Sequence, residues 1–502
     1  MTEKKSVIII GAGVGGLFCG AILSKEGYHV RIFEQHYAIG GGLHQFKRGG
    51  VEFETGMHVV AAFHEGGVLN RLCSYLGIMN RLNVLPTDND CFELLHIGAD
   101  QTKYKMPTGR KQYTEKLIND FPNEKENIER YIQAIYDICN SIKLYNLEYS
   151  EDASQKTSEE SIVSVGDFIN SFTQNKRLHT VLSFNNPLYA GDKFKTPVYA
   201  HAMISKFYIE GAGRFAGGSR QLAEALAKVI TDAGGEIRAA NGVTNIEIEN
   251  KAISYIETAD GQKHYANMYI SSIHPSSLFN ILDRSKLQKS FWKRIDSIPN
   301  SYSVFSAYIV LKPGSIPYFN YTYYYIDDDQ ANWNHDDYTE ENWPKGMMFI
   351  TPPLTGKEHF AEKMIVNCIM KYETVKKWEH TFTGKRGNEY EAFKKQCENK
   401  IIDKLENVYP DIRNCIQSVY SASPLTIRDY YNQKEGALYG VKRDCNDLVF
   451  SFIPIHTKLN NLLLTGQNIN LHGILGVPLT AIRTCSALLG MEYLIGKVKN
   501  VV

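Results

Sequence analysis

The chain of 502 residues is 43% hydrophobic and 22% charged, which excludes a disordered polymer and leaves room for about two to four packed domains at roughly 100–200 residues each. Its 55 basic and 55 acidic side chains give a formal net charge of zero, so it lacks the one-signed field of a nucleic-acid binder, and no nucleic-acid partner is expected. The nine cysteines are scattered, with no Cys-x-x-Cys pair and no Cys/His cluster at zinc spacing. No metal and no disulfide framework is therefore expected, and a reducing, cytoplasmic setting fits.

Residues 6–10 form a short β-branched run of the kind buried in a parallel sheet, and the run breaks at once into Gly11-Ala12-Gly13-Val14-Gly15-Gly16. That break is unlike a secretory leader and is read as structure. A helical pattern follows over 17–25, Gly27 stops it, and residues 29–34 read as a second strand ending in Glu34. The glycines thus occupy the strand-to-helix turn of a βαβ unit, the setting of a dinucleotide-binding fingerprint. Gly11 permits the tight turn, Gly13 lets a pyrophosphate approach the backbone, and Gly16 lets helix and strand pack closely. The helix N-terminus favours an anion, and Glu34, about 20 residues beyond Gly13, is placed to accept hydrogen bonds from a ribose diol. These residues alone leave FAD and NAD as alternatives.

A second glycine cluster, Gly40-Gly41-Gly42, stands close behind Glu34-Gln35-His36 and is followed by His44-Gln45-Phe46 and by Glu52-Phe53-Glu54-Thr55-Gly56-Met57-His58. Glycines so soon after the ribose acid suggest a longer cofactor lying across the backbone, as FAD would. This stretch resembles the retinol saturase branch of the phytoene desaturase and carotenoid isomerase flavoproteins. The resemblance continues through Gly217-Gly218-Ser219, Val243, Lys385-Arg386-Gly387, Ser423-Pro424-Leu425-Thr426 and Gly436-Ala437 with Tyr439-Gly440. It closes on the run from Leu462 to Gln467 with Gly473, Gly476 and Ala481. Two positions depart from the branch pattern: Gly42 stands where cysteine is common, and Ala216 where an arginine is usual, with Arg214 two residues upstream.

The resemblance implies an α/β fold of the flavin amine oxidase and phytoene desaturase kind, in which a discontinuous Rossmann-like FAD-binding domain carries a mixed α+β substrate-binding domain. On this chain the FAD-binding pieces fall at 1–75, 210–274 and 446–502. A helical insertion spans 76–209 and a mixed sheet roofing a cavity spans 275–445. Within the insertion, the polar segment 150–161 has too little apolar content to pack and reads as a solvated loop or lid. Aromatic alternation over 318–326 predicts a strand, and its tyrosines are either sheet surface or the wall of a substrate tunnel. A helix is predicted from about 389 to 408 with Phe393, Cys397, Ile401, Leu405 and Val408 on one stripe. Pro478 is expected in the first turn of a closing helix whose Leu479, Ile482, Leu489 and Tyr493 share a face. The charge-free run 460–482 is interrupted by glycines, amides and Pro478, so no spanning helix is expected, while peripheral membrane contact stays compatible with the hydropathy.

By resemblance the cofactor is FAD, held by Gly11, Gly13, Gly16, Glu34, Gly41, Gly42, Val243, Gly466, Gln467 and Gly476. The substrate is an apolar polyene of retinoid or carotenoid type, and the activity is an FAD-dependent oxidoreduction of a C=C bond, foremost saturation. Desaturation and cis–trans isomerisation use the same motifs, and a non-catalytic isoprenoid carrier is the alternative from another class. No second Gly-x-Gly-x-x-Gly unit is present, so electrons come either from NAD(P)H docking transiently or from another redox protein. The candidate proton donors are His44, His58 and His201, since imidazole titrates near neutrality.

Overall fold

The computed structural model describes residues 5–149 and 163–501; the polar segment 150–161 lies outside the described residues. The chain opens with β1 (Ser6–Ile10), α1 (Val14–Lys25) and β2 (His29–Phe33). β1 pairs in parallel with β2 on one side and with the strand Met268–Ser271 on the other. Glu236–Arg238 and Leu462–Leu464 complete a five-stranded parallel sheet. Its strands therefore come from the start, the middle and the end of the sequence.

The β-branched run of β1 is buried on both faces, as a central parallel strand requires. Val7 and Ile9 pack with Leu17 and Ile22 of α1, Leu226 of the helix Arg220–Asp232 and Ile482 of the helix Gly473–Leu489. Ile8 and Ile10 face the opposite layer, with Ile246 and Ile256 of a three-stranded antiparallel sheet.

A second, seven-stranded sheet runs in the order Ile416–Ala422, Ser303–Leu311, Lys363–Met370, Gly346–Ile350, Thr322–Ile326, Glu93–Ile97, Thr102–Met106. It is mixed, because Thr322–Ile326 pairs in parallel with Glu93–Ile97 and the other pairs are antiparallel. Two of its strands come from 76–209 and five from 275–445, so these stretches of sequence share one sheet. Side chains alternate across it. Phe305, Ala307, Tyr323 and Tyr325 pack against the helix Asn388–Glu406 through Tyr390, Cys397, Ile401 and Leu405. Val304, Ser306, Tyr308, Thr322 and Tyr324 face the interior cavity.

Two local expectations need correction. The strand expected over 318–326 spans only Thr322–Ile326, because the preceding backbone bonds elsewhere: Tyr318 N–H donates to His359 O (3.0 Å) and Phe319 N–H to Thr351 Oγ1 (3.2 Å). Pro478 sits inside the closing helix, which begins at Gly473, and Tyr493 belongs to a separate helix, Met491–Lys499. Gly490, at φ 90°, breaks the chain between them. No helix among the described residues is long and apolar enough to cross a membrane.

Candidate functional site

One cavity of about 640 Å³ is lined at one end by the β1–α1 turn and at the other by the inner face of the seven-stranded sheet. At the first end the glycines have separable duties. Gly11 holds φ 95°, a conformation open to few residues with a side chain, and a Cβ on Gly16 would lie 2.1 Å from Gly11 O. Gly16 therefore sits behind the turn, where its N–H donates to Ser272 Oγ (3.0 Å). Gly13 is different: a Cβ there would meet nothing nearer than 3.9 Å. Packing does not require glycine at this position, but the bare backbone lets a ligand come close. Gly42 likewise has nothing within 4 Å, and Gly41, at φ 57°, lies against Gly13. All three line the cavity.

Glu34 follows β2 at the same place. Its Oε2 accepts from Ala12 N–H (2.7 Å) and its Oε1 from His36 N–H (2.8 Å). These amides fix the carboxylate and leave further acceptor sites on both oxygens, since a carboxylate offers about four. Val243 and Gly242 line the cavity beside it. Two helices begin on the cavity wall without side-chain caps, α1 at Gly13 and Gly473–Leu489 at His472. Their first-turn N–H groups and positive dipole ends therefore face the space where an anionic ligand would lie. Gly466, at φ 96°, and Gln467 lie between them, and Gly476 contributes to the same wall. This donor set and the glycine cradle fit a dinucleotide.

The other end is walled by Met203, Phe207, Tyr208, Tyr302, Tyr308, Tyr324, Met348, Ile369 and Tyr439. Alternation had left the tyrosines between tunnel wall and sheet surface. The structure divides them: Tyr324 faces the cavity, while Tyr323 and Tyr325 face the core on the other side of the sheet.

The three candidate histidines are not brought together. His44 lines the cavity, with Nε2 3.0 Å from Ala38 O and its ring stacked on His36 at 4.5 Å. Burial and the neighbouring His36 push its pKa down to about 4, so at neutral pH the ring is neutral. His58 also lines the cavity, with Nδ1 3.5 Å from Glu54 Oε2. His201 does not. It is fully buried between two hydroxyls, Tyr131 Oη at 2.6 Å from Nε2 and Tyr189 Oη at 3.1 Å from Nδ1, and burial pushes its pKa down to about 3. An imidazole that deep, saturated on both nitrogens, is a packing element of the helix Val198–Glu210.

Sequence reasoning missed a polar cluster beneath the cavity wall. Glu93 is fully buried, and Tyr324 Oη donates to its Oε1 (3.3 Å). Burial pushes the carboxyl up to about 8, against the lowering effects of Tyr324 and the Arg214 guanidinium. Arg214, 1% exposed, donates to Thr322 Oγ1 (3.1 Å) and His58 O (3.4 Å), while its Nε has no partner. Arg214, two residues upstream of Ala216, thus lies buried behind the cavity wall and does not line it. Among the described residues, no three His, Cys, Asp or Glu side chains cluster as metal ligands would.

A family profile described as an NAD(P)-binding Rossmann-like domain matches residues 9–76. An all-trans-retinol 13,14-reductase of Macaca fascicularis is 26% identical over 97% of this chain and 86% of its own length. A chloroplastic prolycopene isomerase of an Oncidium hybrid cultivar is 23% identical over 93% of this chain and 80% of its own. The crystal structure of an oxidoreductase from Methanosarcina mazei has the same fold, with a TM-score of 0.65 at 16% identity over 95% of this chain and 99% of that one.

Proposed function

We propose that this chain, an oxidoreductase related to the retinol saturases and carotenoid isomerases, holds FAD along its cavity and reduces one C=C bond of an apolar polyene. The observation that carries the reading is the continuity of that cavity, from Gly13 and Glu34 at the dinucleotide end to the tyrosine- and methionine-lined end under the sheet. Bound FAD supplies a two-electron hydride donor or acceptor.

The chain's own residues do the rest. Gly13 and the N-terminus of α1 would hold the pyrophosphate, Glu34 the ribose, and the backbone at Val243 the adenine. Gly41 and Gly42 would let the cofactor cross the backbone. Gly466 and Gln467 of the loop after Leu462–Leu464, with Gly476 in the first turns of the closing helix, would face the ring's polar edge, where a positive dipole end favours added negative charge. Tyr208, Tyr302, Tyr308 and Met348 would grip the polyene and keep water away from it, with burial worth roughly 25 cal/mol per Å² of apolar area.

Purified protein should be yellow with a flavin absorption band; a colourless protein that still binds isoprenoid would make it a carrier. Chemically reduced enzyme, incubated without oxygen with a panel of retinoids and carotenoids, should give a product heavier by two hydrogens. A product lighter by two hydrogens would mean desaturation, and an unchanged mass with altered geometry would mean isomerisation. Rapid mixing of oxidised enzyme with NADPH tests transient nicotinamide docking, which should bleach the flavin band.

A further inference from the structure

We infer that Tyr324 is the proton donor to the substrate carbon and that Glu93, hydrogen-bonded behind it, is the reservoir that restores its proton. This rests on the polyene-reductase reading above.

Tyr324 meets two requirements of a donor. Its strand, Thr322–Ile326, places it on the cavity face, and its hydroxyl is bonded to a carboxyl that water does not reach. The parallel register sets Thr322 opposite Glu93, so Glu93 lies on the same side of the sheet as Thr322 and Tyr324, one layer below the wall. Of the candidate histidines, His201 lies outside the cavity and His44 is neutral, while His58 lines the cavity 3.5 Å from Glu54 Oε2 and is the rival that the variants below distinguish.

The groups facing Glu93 come from every element packed on it. They are Tyr324, Arg214 of the strand Ala212–Phe215, Tyr208 of the helix Val198–Glu210, Tyr113 of the helix Arg110–Asp120, and Cys91 just before its own strand. Only Arg214 carries charge at neutral pH. Its unpartnered Nε leaves it a donor to spare, and its charge makes a carboxylate tolerable at Glu93 once the proton has left.

The π bond breaks as one carbon takes the hydride, with its electron pair, that bound reduced FAD would supply and by which it would be oxidised. The neighbouring carbon, left with the π electrons, takes the Tyr324 Oη proton and forms the second C–H bond. As Tyr324 turns its O–H from Glu93 Oε1 to the carbon, the protonated carboxyl takes over as donor across the same contact, passes its proton to the phenolate and becomes a carboxylate within reach of the Arg214 charge. Solvent protons re-enter after product leaves.

The test uses FAD-loaded Tyr324→Phe and Glu93→Gln, with flavin fluorescence reporting the integrity of the fold. Both should bind FAD and polyene as the parent does; in Tyr324→Phe the reoxidation of reduced flavin by polyene slows by about 100-fold or more, the usual weight of a positioned acid, while Glu93→Gln keeps that first turnover and slows in the steady state. Infrared titration gives a readout independent of turnover: a protonated-carboxyl band should be present at neutral pH, absent in Glu93→Gln and shifted in Tyr324→Phe. A Tyr324→Phe reoxidation rate or a Glu93→Gln steady-state rate within about threefold of the parent, far below the loss of a general acid, or a band unmoved in Tyr324→Phe, would overturn the donor assignment alone. A parent enzyme that transfers hydride to no polyene overturns the reaction and the donor role together.

Discussion

Gly15 and Gly466, far apart in sequence, touch so closely that a Cβ on Gly15 would stand 2.9 Å from Gly466 Cα. The opening turn and the closing loop are thus held against each other on the cavity wall. Gly15→Ala should push the two apart, costing about 1–3 kcal/mol as overpacking does, and because both walls face the space proposed for the cofactor, FAD affinity should fall by about tenfold or more. Gly496→Ala is the control: a Cβ there meets nothing within 4 Å, so this helical site should be neutral or gain up to about 1 kcal/mol. Flavin fluorescence titration and thermal melts of both variants check the pair.

Glu34 makes a second prediction. Both carboxylate oxygens accept from backbone amides, Ala12 N–H and His36 N–H. Glu34→Gln replaces one acceptor with an N–H₂ that must face a donor, and removes the charge that would hold the ribose diol. FAD affinity should drop by about 1–3 kcal/mol, the cost of an unmet buried polar group, with the catalytic rate at saturating FAD little changed. Calorimetric titration against turnover at high FAD separates the two.

The end of the cavity proposed for the nucleotide was legible in the sequence because it is local. Within the first 34 residues, strand, turn, helix and terminal acid announce one another, and Gly11, Gly13 and Glu34 lie where that grammar puts them. The other end was legible only in outline. That Tyr324 faces inward and Tyr323 outward depends on where the strand begins, and the aromatic run obscured this by continuing past its edge. The Glu93–Tyr324 contact depends on a register between strands more than 200 residues apart, which no local pattern encodes. His201 misled for a related reason: the helix Val198–Glu210 is buried nearly all round, so hydrophobic periodicity could not say which of its residues meets the cavity.

His201 supplies the third prediction. Its removal as His201→Leu leaves the Tyr189 hydroxyl buried without its partner, while Tyr131 keeps a 3.4 Å contact to Leu182 O. Stability should fall by about 1–3 kcal/mol, whereas turnover per molecule of folded, FAD-loaded enzyme and its pH profile should hold. A rate loss of the size expected for a general acid, ~100-fold, would return His201 to the chemistry.

Glu93 makes stability itself depend on pH. Burial raises its carboxyl from 4.5 to about 8 in the folded chain, so between those values the folded state holds a proton that the unfolded state has released. The stabilisation is fully present below pH 4.5 and is lost as pH rises to about 8. Across the whole window the loss approaches ~5 kcal/mol, at about 1.4 kcal/mol for each tenfold change in proton affinity. The depressed histidines, such as His44 near 4, act with the opposite sign, adding stability as pH rises from their folded value towards 6.5. The difference between parent and Glu93→Gln cancels them. The two proteins should be equally stable at pH 4.5, and the variant should become progressively the more stable up to pH 8, in denaturant titrations at saturating FAD. A difference that stays flat across this range would mean that Glu93 is ionised in the folded chain, and the reservoir behind Tyr324 would then be empty.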